Sequence, residues 1–237
     1  MILPLVVIYL CSTLMFSAHA YAANTTNADA NTTNAVVYSI DSSPFGISYR
    51  DWITKWWQWN VGFGAEDHPR DHFSPQTCKL NQNGPVWFLP DLLSGMQDRS
   101  CTIPQGKAIL VPLLTGSCWN DHLDPELETD SGLRKCAMQG NEYGEITATI
   151  DGRNLQNLQD SRIQSPVFNI TVPDNSTFRT GNAPSGNFKA ISDGYFVFLK
   201  PLPAGKHDLI LTTNVQNPIA PSYDFSAKSN FHLDVPP

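Results

Sequence analysis

The chain of 237 residues sets 15 Lys and Arg against 22 Asp and Glu, a formal net charge of −7. Charged residues make up 16% and aromatics 11%, so the chain can bury a sizeable core and is not disordered overall. An acidic, Lys-poor composition argues against nucleic acid or anionic lipid as the main partner.

Residues 1–16 lack Asp, Glu, Lys and Arg and are mostly apolar. Ala18-His19-Ala20 and Ala20-Tyr21-Ala22 follow as A-x-A patterns. An apolar run before a small-residue cleavage site predicts a secretory signal over residues 1–22. The run is short of the roughly 20 residues that span a bilayer. No later stretch is apolar for long enough, so no membrane span is expected after cleavage. Residues 23–35, rich in Asn, Thr and Ala, read as a flexible linker. Residues 36–237 read as a single β-sandwich domain. Sequons at Asn24, Asn31, Asn169 and Asn175 fit a secreted or cell-surface glycoprotein.

One helix is well specified. Ser48 is a natural N-cap with Asp51 three residues on, and Ile47 and Trp52 form a hydrophobic staple. At helical spacing Tyr49, Trp52, Ile53, Trp56, Trp57 and Trp59 share one broad face, with Arg50, Asp51, Thr54, Lys55 and Gln58 opposite. Core packing is the expected role of this stripe. Trp57 lies nearest its edge, where partial exposure is expected.

Most other signals are strands. Candidates run over residues 36–40, 86–89, 108–114, 146–150, 167–172, 188–191, 195–199, 209–213 and 231–235. Asp151-Gly152 predicts a tight hairpin, and a second Asp-Gly, Asp193-Gly194, is flanked by two strand runs. The fold class predicted is mainly β, an antiparallel sandwich or jelly roll. One amphipathic helix packs on it, and two long loops, residues 62–85 and 115–144, are pinned by disulfides.

Cys11 leaves with the signal, and Cys78, Cys101, Cys118 and Cys136 remain. An even number in an exported chain predicts two disulfides. Three pairings exist. Cys78–Cys101 with Cys118–Cys136 is favoured, because each pair brackets one irregular segment. A zinc site would prefer close C-x2-4-C spacing, which is missing.

The long loops hold the candidate chemistry. His68, Asp71 and His72 in one, with His122 in the other, are candidate ligands for a divalent metal, since imidazole and carboxylate suit such ions. Trp119, Asp121 and His122 are candidate ligand contacts, with Trp119 as an exposed stacking surface. His207 and His232 lie on strands and read as surface or satisfied core groups. No G-x-S-x-G elbow, phosphate-cradling loop or dinucleotide fingerprint occurs.

Several stretches form a series: Trp56-Trp57-Gln58-Trp59, His68-Pro69-Arg70-Asp71, Gly84-Pro85-Val86-Trp87-Phe88-Leu89, Arg99-Ser100-Cys101-Thr102-Ile103-Pro104, Gly106-Lys107-Ala108 and Pro201-Leu202-Pro203-Ala204-Gly205-Lys206-His207. Over roughly residues 52–207 the series resembles a group of small exported bacterial and archaeal proteins. The resemblance brings no catalytic residue. It implies a module in its own right rather than a fragment of a known enzyme.

The function expected is extracytoplasmic binding of a carbohydrate or surface polymer. The alternatives are a metal-dependent extracellular hydrolase or oxidoreductase using the His68/His72 and Asp121/His122 loops, and a structural envelope protein.

Overall fold

Ser48 starts the helix as its side chain requires. Its hydroxyl accepts the Asp51 N–H at 3.1 Å and donates to the Asp51 carboxylate at 2.6 Å. The resulting helix α1 spans Tyr49–Val61. The computed structural model from which this geometry comes describes residues 36–179, 182–219 and 221–237. The expected signal peptide (1–22) and linker (23–35) lie outside the described residues.

Every aromatic residue of α1 is buried, Trp57 included at 4% exposed, so the edge of the stripe is covered as fully as its centre. Three indoles are fastened to carbonyl oxygens: Trp52 to Pro44 at 2.9 Å, Trp56 to Leu89 at 2.8 Å and Trp59 to Leu80 at 3.1 Å. These bonds let the polar ends of large apolar groups enter the interior without an unmet donor.

Among the described residues ten strands follow: β1 Val86–Phe88, β2 Gly95–Thr102, β3 Ala108–Trp119, β4 Gly144–Ile150, β5 Arg153–Asn154, β6 Arg162–Gln164, β7 Phe168–Val172, β8 Gly186–Leu199, β9 Gly205–Val215 and β10 Phe225–Val235. They form two sheets. The first runs β1-β3-β8-β6, with β7 also paired to β8; the second runs β2-β10-β9-β4-β5. The two sheets pack as a sandwich, as expected, but they are mixed rather than antiparallel. β1 lies parallel to β3, and β2 parallel to β10. Parallel neighbours need a crossover connection, and β1 reaches β3 only after the chain has crossed to the second sheet as β2.

Two cores result. One lies between the sheets, where Trp87, Val111, Val197 and Leu199 of the first meet Ile146, Leu211, Phe231 and Leu233 of the second. The other lies between the outer face of the first sheet and α1, where Trp52, Ile53 and Trp56 meet Phe88, Leu110, Phe196 and Phe198. The order is therefore helix, sheet, sheet.

The strand and turn expectations are revised in two further places. Residues 36–40 make one isolated bridge, Val37 to Leu199, rather than a strand. The second Asp-Gly is no turn: β8 runs straight through Asp193 and Gly194. Gly194 stands there because a Cβ would lie 2.6 Å from the Leu114 carbonyl oxygen and 2.8 Å from the Thr115 Cα. That close approach accompanies the irregular register of β3 between Pro112 and Leu114. Asp151-Gly152, by contrast, turns with φ of 50° and 75° as the hairpin demands.

The second long loop is mostly regular structure. β3 continues to Trp119, and a helix, α2, spans Asp130–Met138. Thr129 caps α2 by accepting the Gly132 N–H at 3.1 Å, and Leu133 and Ala137 are buried beneath it. The disulfides pair as favoured, Cys78 with Cys101 and Cys118 with Cys136.

Trp56 is fully buried and edge-on to both Trp57 and Phe196. Trp56→Ala is expected to destabilise the domain by about 3–5 kcal/mol, measured by urea unfolding. Gln58→Ala, on the exposed face, removes one bond to the Asn169 carbonyl and is expected to cost about 1 kcal/mol.

Candidate binding cleft

The candidate metal ligands do not assemble. His68 is buried, and both its ring nitrogens are engaged by backbone. Its Nδ1 accepts the Arg70 N–H at 3.1 Å, so the proton sits on Nε2, which donates to the Asn60 carbonyl at 2.8 Å. Burial first, and the Arg70 charge second, push the imidazole down to about 4, leaving it neutral. No lone pair remains for a metal. Asp71 is held by Arg70 in a two-pronged pair at 2.9 and 3.2 Å. His72 is exposed, and its N–H closes a turn onto the His68 carbonyl at 2.9 Å. His122, exposed and with a φ of 65°, pairs with Glu128 at 2.7 Å. Among the described residues no group of three or more His, Cys, Asp or Glu side chains is placed to hold a metal ion. The spacing of His68 and His72 suggested a shared face; the turn at Pro69 instead sends one ring inward and leaves the other in solvent.

A cleft of about 390 Å³ lies beside this loop. Its walls are the part of β3 beyond the register shift, Trp57 of α1, Phe178 after β7, Asn141 after α2, and Tyr223 and Phe225 at the start of β10. Arg70 and Asp91 supply charge. Both cysteines of the Cys118–Cys136 bridge line it, so a covalent bond ties the wall made by β3 to the wall made by α2. Gly116 is part of the same wall because α2 presses close: a Cβ there would lie 2.5 Å from the Ala137 carbonyl oxygen.

Of the three contact residues read from the sequence, Trp119 lines the cleft and Asp121 and His122 do not. Trp119 is half-buried and meets Phe178 edge to face, with ring centres 6.5 Å apart. Asp121 spends its carboxylate on a local turn, accepting the Leu123 N–H at 3.1 Å.

The polar side of the cleft is a network that the sequence reading missed. Asp91 accepts from Asn60 at 2.6 Å and from Thr115 at 2.9 Å. Burial raises its carboxyl, against the opposing pull of Arg70, Thr115, Asn60 and Arg99. Arg99 is itself buried and drawn down to about 10 by that burial. It donates to the carbonyls of Asp91 at 3.2 Å and Arg70 at 3.1 Å, and lies over the rings of Phe73 and Phe231. Arg99 thus fastens together the backbone of two cleft segments. Arg70 also donates to Thr177 at 3.2 Å and stands 4.6 Å from the ring centre of Phe178. Burial opposes ionisation of Asp71, but bonds from Arg70 and Thr177 and the Arg70 charge together hold it below the usual carboxylate range. Arg70 and Arg99 do fall inside stretches quoted for the resemblance. Asp91 had no local signal, because its partners come from positions 60, 70, 99 and 115.

No family model and no curated protein matches the chain. Among solved structures, a chain from the complex of PbICP-C with falcipain-2 is similar at 9% identity, covering 64% of this chain and 99% of that one, with a TM-score of 0.25. A likeness of that extent carries no argument about this chain.

His68 is expected to titrate near 4, which nitrogen-detected NMR of the imidazole would show. Zinc should leave its resonances unmoved. Because the folded value lies below the unfolded value of about 6.5, the unfolded state binds more protons between them. Stability should therefore fall by about 3 kcal/mol as pH drops from 6.5 to 4. Asp91 has the opposite sign. Its raised carboxyl favours the fold below about 3.9 and loses that contribution as pH rises. Asp91→Asn should accordingly gain stability relative to the native chain on going from acid to neutral pH, measured by urea unfolding at each pH.

Proposed function

We propose that the protein is an exported, extracytoplasmic binding protein whose cleft takes one ring of a carbohydrate or surface polymer, and that it belongs with the exported bacterial and archaeal proteins its sequence resembles. The observation that carries this reading is the cleft wall itself. Trp119 presents a half-buried ring beside Phe178 and Trp57, with hydrogen-bonding groups from Arg70, Asp91 and Asn141 around it. Aromatic faces with a few placed polar groups suit a ligand that is apolar on its faces and polar at its edge. Two disulfides fit the oxidising compartment. Among the described residues no helix is long and apolar enough to cross a membrane.

A glycan array probed with the mature protein, followed by calorimetry on the best ligand, tests the reading. Trp119→Ala is expected to weaken binding by about tenfold, the worth of one stacked ring. His122→Ala, outside the cleft, should leave affinity unchanged. Equal effects of the two substitutions would place the ligand elsewhere.

A further inference from the structure

Among the described cleft residues Arg70 and Asn141 each keep a polar atom without a protein partner, and the two differ in sense; the Trp57 Nε1 is also unpartnered but is sealed from solvent. Arg70 spends Nε and one Nη on Asp71 and Thr177, leaving its other Nη free to donate. Asn141 is 1% exposed, and its Nδ2 faces the carbonyl oxygens of Asp193 at 2.7 Å and Ala137 at 3.1 Å. Two carbonyls can face only the nitrogen end of an amide, so the orientation is fixed. The Oδ1 of Asn141 is therefore the free end, an acceptor with no donor. Neither atom is among the sealed unpartnered groups of the interior, and both residues line the cleft. A ligand must thus accept from one and donate to the other. A hydroxyl group does both.

Charge narrows the choice. The Arg70 cation is already matched by the two-pronged Asp71 pair, and Asp91 stands in the same wall. A ligand carboxylate would compete with Asp71 and approach Asp91, in a chain of net charge −7. A ligand cation fares no better, because Arg70 already covers the ring of Phe178.

We infer that the cleft selects an uncharged polyhydroxyl ring, a neutral sugar residue, whose hydroxyls meet Arg70 and the amide oxygen of Asn141. It discriminates against uronates because Arg70 is already paired and Asp91 stands beside it, and against free amino sugars because the Arg70 cation already covers Phe178. This rests on the binding reading above and names the ligand class of the same site. Calorimetry with matched oligosaccharides tests it: neutral hexose oligomers, oligomers of the corresponding uronic acids, and glucosamine oligomers. The expected result is binding of at least one neutral series. The charged series should be at least about tenfold weaker, the penalty of an uncompensated charge at such a site. The affinity of the neutral series should not change between low and high salt, and Trp119→Ala should weaken it. Tighter binding of a charged series, with salt-dependent affinity, would overturn the inference and leave the binding reading standing. Neutral binding that Trp119→Ala leaves unchanged would overturn the assignment to this cleft. Absence of binding by all three series would sink the inference and the binding reading together.

Discussion

β8 is covered on both faces, and the rest of the architecture follows from that. From Ala190 to Leu199 every residue of this strand is buried. On one side its neighbours meet the second sheet; on the other they meet the tryptophans of α1. A sheet with two apolar faces must be covered twice or expose a large hydrophobic area to water. The short helix achieves its half of the cover by using the largest side chains available. Thirteen residues with four indoles span a face that a helix of ordinary composition would leave partly wet.

The cleft lies where this regular packing is interrupted. Pro112 and the register shift after it turn the last part of β3 away from full burial, and from Thr115 to Trp119 the strand is only half covered. α2 closes over that segment, held by Cys118–Cys136 and seated by the missing side chain of Gly116. Charged groups then occupy an interior that would otherwise exclude them. Arg99 lies over the rings of Phe73 and Phe231 and donates to main-chain carbonyls, so its guanidinium is satisfied within the interior. Asp91 and Asp71 are compensated from nearby positions. Such a network contributes less to net stability than apolar residues of the same volume would. Its effect is to fix the position of the polar wall.

What was legible in the sequence was what is local or periodic. The cap at Ser48, the aromatic stripe and the Asp151-Gly152 hairpin are determined within a few residues, and each appears in the structure. The disulfide pairing was also accessible, because each bridge closes a short segment. The straight run of β8 through Asp193-Gly194 was not, since the reason for Gly194 is a backbone 80 positions away at Leu114. α2 escaped notice because a nine-residue helix with Gly132 inside it has little periodicity to show. The same limit governed the site. Trp119 drew attention through its own chemistry, whereas Asp91 and Asn141 became meaningful only through partners brought to them by the fold. His68 failed for the complementary reason: its sequence neighbours suggested a ligand set, but both nitrogens were already committed to the main chain.

The parallel pairing of β2 with β10 sets an order on assembly. Gly95 to Thr102 find their ladder partners at Ala227 to Asp234, and just beyond them the Ile103 N–H donates to the Asp234 carbonyl. The edge strand β2 therefore waits for β10 to be synthesised. The second sheet cannot be completed from a growing N-terminal portion, and closure over so long a separation is slow. Until β10 is in place β2 keeps an unpaired edge, a template on which other extended segments could pair in error.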